Sequence, residues 1–68
     1  MNTVEALDME RIWWPASGAK HEAIRERFGL SPVRYYQKLN AMIETPEALA
    51  IDAQIVNRLR RIRGQAWS

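Results

Sequence analysis

Arg34, Gln37 and Asn40 recur at every third position in "FGLSPVRYYQKLN", residues 28–40. On a helix that spacing keeps them on one face, with Val33 and Ala41 beside them. A carboxamide can hydrogen-bond bidentately to the major-groove edge of adenine and a guanidinium to that of guanine. A small apolar side chain can meet a thymine methyl and let the backbone come close. Val33, Arg34, Gln37, Asn40 and Ala41 are therefore candidate base contacts, and Ser31, Tyr36 and Lys38, at the edges of that face, are candidate phosphate contacts. The same residues also suit a helix that merely faces solvent, so the decision rests on the elements around them.

Charge distribution adds a second group. Residues 1–30 carry four basic and five acidic side chains, residues 31–68 six basic and three acidic, for a net charge of +2. The excess sits late, in Arg58, Arg60, Arg61 and Arg63 of "NRLRRIRG". A basic stripe is what a polyanion contact requires, because each neutralised phosphate releases counterions. These four arginines are candidate phosphate contacts, and the solvated face of a terminal helix is the alternative for them.

The punctuation predicts an all-α fold of four helices and a short helical turn. Thr3 can cap a helix over residues 4–14, with Glu5 near its positive end and Pro15 forcing the stop. A second helix is expected over 19–28, with Ala23, Ile24 and Phe28 at helical spacing and Gly29 supplying the left-handed turn that ends it. Ser31 as N-cap and Pro32 at the first helical position start a third, over 32–44. Its apolar stripe is Tyr35, Leu39, Met42 and Ile43, with the Tyr35 hydroxyl at the surface. Thr45 and Pro46 repeat the device for a turn over 46–50. Asp52 can cap a last helix over 53–63, with Ile55, Val56, Leu59 and Ile62 apolar and Gly64 closing it before a tail of residues 64–68. The length allows one domain with a modest core.

A helix, a short turn containing glycine and a second helix begun by a small capping residue outline a helix-turn-helix. Here "IRERFGLSPVRYYQKL" resembles the tri-helical readers of sigma-factor region 4 and of two-component response regulators. Ile24, Phe28, Gly29, Leu30, Ser31, Tyr35 and Leu39 take that motif's apolar, glycine and capping places, while Arg25 stands where it has a small residue. A longer resemblance runs from about residue 7 to 63, through "MERIWW", "GAKHEAIRERFGLS", "RYYQKLNAMI", "PEALA" and "VNRLRRIR". In these stretches the chain is similar to a family of small actinobacterial proteins of unknown function predicted to carry a helix-turn-helix. That resemblance implies the fold and a cytoplasmic setting, and it assigns no activity.

Catalysis has little to work with. The chain has no cysteine and one histidine, His21, on the polar side of the second helix. Glu22 and Glu26 lie one turn apart without an apolar pocket to raise a pKa, and neither a phosphate-cradling glycine loop nor a nucleophile elbow is present. We expect no enzyme, no metal and no cofactor. No apolar run reaches the roughly 18 residues that span a bilayer, and the N-terminal stretch lacks the pattern of a signal peptide, so no membrane partner is expected. Trp14 shares a face with Leu7 and is expected to anchor the first helix, whereas Trp13 points away. Trp13 and Trp67 are candidate partner contacts. Two function classes follow. The first is a DNA-binding transcriptional regulator or architectural protein, expected to act as a homodimer because one recognition helix makes few base contacts. The second is an adaptor that binds RNA polymerase, a sigma factor or another regulator.

Overall fold

Asn2, not Thr3, starts the first helix of the computed structural model, which describes the backbone of residues 1–67 and the side chains of residues 1–62. The Asn2 side chain accepts from the Glu5 N–H at 2.8 Å while the Glu5 carboxylate accepts from the Asn2 N–H at 2.9 Å, a reciprocal capping box. Helix α1 then runs Thr3–Arg11, three residues short of the expected end. Pro15 disfavours helical backbone at Trp14, and the chain has already turned extended at Ile12. Trp14 uses its freedom from the helix to fold back. Its indole N–H donates to the Met9 carbonyl at 3.3 Å, in the last turn of the helix, which also accepts from the Ile12 N–H at 3.4 Å.

Four more helices follow, α2 (Ser17–Phe28), α3 (Pro32–Met42), α4 (Pro46–Ile51) and α5 (Ala53–Trp67), and the described residues contain no strand. The fold is thus all-α, as the sequence predicts. Gly29, at φ 64°, ends α2 in the left-handed conformation, and its N–H donates to the Arg25 carbonyl. Ser31 Oγ accepts from the Arg34 N–H at 3.2 Å, with Pro32 in the first turn. Thr45 joins two helices: its hydroxyl donates to the Met42 carbonyl at 2.6 Å and accepts from the Ala48 N–H at 3.3 Å. That double use ends α3 at Met42 rather than at residue 44. Gly64 does not close α5, which continues through Trp67. A glycine costs a helix interior about 1 kcal/mol relative to alanine, which is not enough by itself to stop it.

Helix α1 is the hub, packing against α3, α4 and α5, while α2 packs on α3 and α4 on α5. Ala6, Leu7 and Met9 from α1 meet Ile24, Tyr35, Leu39, Ile43, Ala48 and Val56 in the core. The expected stripe of α3 is correct except that Met42 is only partly covered. Among the described side chains of α5 only Val56 is fully buried, and Ile62 is 52% exposed.

One polar cluster lies among these apolar residues. Glu10, 8% exposed, receives the Tyr35 hydroxyl at 2.5 Å and the Lys20 ammonium at 2.7 and 2.9 Å, so that α1, α2 and α3 converge on a single carboxylate. The Tyr35 ring is fully buried and stacks on Phe28 at 6.1 Å. Its hydroxyl is therefore inside the protein, not at the surface as its place in the stripe suggested. Burial first, and then the hydrogen bond to Glu10, push the Tyr35 phenol well above the ordinary tyrosine value.

Two predictions follow from this packing. Ser31→Ala is expected to destabilise by about 1 kcal/mol through loss of the cap and Leu39→Ala by about 2–5 kcal/mol through loss of core contacts, both read by urea unfolding. Equal, small effects would contradict the helix boundaries and the core. Tyr35→Phe is expected to cost about 1–3 kcal/mol by leaving Glu10 short of a donor. Because the folded state holds the Tyr35 proton more tightly than the unfolded chain, its contribution is complete below about pH 10 and is lost as pH rises from there. Melting curves across that range should fall more steeply for wild type than for Tyr35→Phe.

Candidate nucleic-acid interface

With Tyr35 and Leu39 turned into the core, the opposite side of α3 faces outward. Val33 is 67% exposed, Arg34, Gln37, Lys38 and Ala41 are exposed, and Asn40 is half-buried. The five candidate base contacts therefore lie on one helix, outside the core. Ser31 is exposed at the start of the same helix, with its oxygen engaged in capping.

Tyr36 sits at the boundary of this face, half-buried between α2 and α3. Its ring meets Tyr35 edge-on at 5.1 Å and His21 edge-on at 6.4 Å, and the Lys20 ammonium lies 5.2 Å from its centroid. A cation at that distance from an aromatic face is attracted by the ring quadrupole. The ammonium that neutralises Glu10 thus also supports Tyr36. An open, largely apolar groove of about 400 Å³ runs alongside, lined by His21, Pro32, Val33, Tyr36, Gln37 and Asn40.

Sequence reasoning did not bring His21 or Pro32 to this site. The signal for His21 was present: it stands three residues before buried Ile24, a spacing that puts both on the side of α2 turned toward α3. Lys20 and Glu10 were missed because each reads as an ordinary surface charge, and a separation of ten positions hides their pairing. Glu22 and Glu26 are exposed, as the absence of an apolar pocket implied.

The late arginines separate. Arg58 and Arg61 are exposed, three residues apart and so on neighbouring positions of one face of α5. Arg60 departs from the expected phosphate role, because its Nε donates to the Ile43 carbonyl at 2.7 Å. A guanidinium at the negative end of α3 is favourable in charge as well as in geometry, and Arg60 is committed to the fold. Arg11 is similarly engaged, bridging Asp8 and Asp52. Asp52 accepts from the Ile55 N–H at 3.1 Å at the start of α5, and that bond, with Arg11 beside it, lowers the Asp52 pKa below the usual carboxylate value. The side chains of Arg63 and Trp67 lie outside the described residues.

Trp13 is 82% exposed and Ile12 next to it is also exposed, so the expectation for Trp13 of a side chain pointing away from the core is met. Among the described residues no group of three or more His, Cys, Asp or Glu could hold a metal ion, and no helix is long and apolar enough to cross a membrane.

No curated protein and no solved structure matches the chain. A family described as protein of unknown function, DUF3263, matches residues 2–66. The chain belongs to that family.

Proposed function

We propose that the chain is a non-catalytic, cytoplasmic DNA-binding protein in which α2, the turn at residues 29–31 and α3 act as a helix-turn-helix. In this reading α3 enters the major groove, and the protein regulates transcription or shapes DNA locally. The observation that carries the reading is the division of α3. One side is held in the core through Tyr35 and Leu39, while Val33, Arg34, Gln37 and Ala41 stand exposed on the other. Side chains fixed to a supported helix can keep the register that base readout needs.

Lys38 beside this face and Arg58 and Arg61 on α5 are the phosphate contacts of the proposal. The Arg60 bond to Ile43 supports it by tying α5 to the C-terminal end of α3. Two copies on half-sites about one DNA turn apart would supply the specificity that a single helix lacks. A second reading, as an adaptor for RNA polymerase, a sigma factor or another regulator, is favoured by exposed Trp13, since large aromatics are enriched at protein interfaces.

Gel-shift titrations at two salt concentrations distinguish the two, because binding through phosphates weakens steeply with salt. On a site selected from random DNA, Arg34→Ala or Gln37→Ala is expected to cost roughly 1–3 kcal/mol and to relax preference at one base position. Arg61→Ala is expected instead to weaken binding to every sequence and to reduce the salt slope by about one. Salt-insensitive binding, with Gln37→Ala equal to wild type on selected DNA, would favour the adaptor.

A further inference from the structure

We infer that the groove beside α3 makes this surface a reader of thymine, with a thymine methyl seated against Val33, Pro32 and Tyr36 and an adjacent adenine held by Gln37. The inference rests on the DNA-binding reading above and specifies its base chemistry.

The lining of the groove selects among the four bases. Pro32, Val33 and Tyr36 supply its apolar wall, His21 closes the α2 side, and Gln37 and Asn40 bring carboxamides to it. No lysine, arginine or carboxylate is among the residues that line it. The Lys20 ammonium is paired with Glu10 and stands over the Tyr36 ring rather than in the groove. A phosphate would find no counter-charge there.

In the major groove guanine offers two acceptors, cytosine a donor, and adenine an acceptor and a donor, whereas thymine alone adds a methyl group to its acceptor. A guanine or cytosine edge pressed against Pro32 and Val33 would give up water without gaining a partner there. A thymine methyl gives up only apolar hydration.

Gln37 lies one helical turn beyond Val33, on the same side of α3, where its carboxamide can reach the base pair next to the one whose methyl Val33 meets. Adenine is the base whose N6 and N7 match a carboxamide in both directions. Arg34 is not among the residues that line the groove. The site read by one copy is thus a short A·T run, with Arg34 free to set a flanking G·C pair.

The experiment uses the full chain and random 20-base-pair duplexes to select a preferred site. Each thymine of that site is then replaced in turn by deoxyuridine, which removes only the methyl, and each duplex is titrated by fluorescence anisotropy. The selected site should contain a thymine next to an adenine, and deoxyuridine at that thymine should weaken binding about fourfold, the worth of one buried methyl. Val33→Ala, at an exposed position outside the core, should discriminate less between the thymine and deoxyuridine sites, with its circular dichroism unchanged. A site that is selected and bound but is G·C-rich, or is indifferent to deoxyuridine at every thymine, overturns the inference and leaves the DNA-binding reading standing. Failure to bind or select any duplex overturns both.

Discussion

The Glu10 carboxylate, 8% exposed, is the point on which the arrangement of the first three helices depends. A buried carboxylate is tolerable only when its charge is opposed and its lone pairs are filled. Here Lys20 from α2 meets the charge and contacts both oxygens, and the Tyr35 hydroxyl from α3 completes the set. Such a cluster adds little net stability over a well-packed apolar one, because desolvation offsets much of the attraction. Its effect is on geometry. If α2 or α3 slid or rotated by one residue, Lys20 or Tyr35 would leave and an unpaired charge would remain inside. No buried side-chain polar atom among the described residues lacks a partner, so the arrangement satisfies this requirement.

That constraint extends to the outer face of α3. Fixing Tyr35 inward turns Tyr36, the next residue, by about 100° to the boundary, where Lys20 and His21 meet it. The outward positions Val33, Arg34 and Gln37 are set by the same rotation. Ser31 holds the first turn of the helix, while Thr45 and Arg60 accommodate the last carbonyls, those of Met42 and Ile43. A helix fixed at both ends and in the middle can present side chains with little freedom to rotate. This preorganisation lowers the cost of binding whatever partner the face takes.

Much of the fold was legible in the sequence because the signals are local. Ser31-Pro32, Thr45-Pro46, Gly29 and Asp52 each act on the nearest turn of backbone, and the structure uses all of them. The errors arise where a local signal was incomplete or a distant group took over. Pro15 marked the limit of α1 but not its end, which came at Arg11 once Trp14 folded back onto Met9. Gly64 was read as a stop although a lone glycine only weakens a helix. The site was half legible: the outward positions of α3 follow from its period of 3.6 residues, whereas the Glu10, Lys20 and Tyr35 cluster joins residues 10 and 25 positions apart. Arg60 shows the same limit, since nothing in "NRLRRIRG" separates the arginine that binds Ile43 from Arg58 and Arg61, which are exposed.

The central claim is that Glu10 and Tyr35 act as one unit in holding α3 against α1. A double-mutant cycle of Glu10→Gln and Tyr35→Phe, measured by urea unfolding at pH 7, tests it most directly. The account predicts that the two losses do not add, with a coupling energy of about 1–3 kcal/mol, in the range measured for residues that share one network. Additive effects, agreeing within roughly 0.5 kcal/mol, would show that the two residues act independently and would contradict the account.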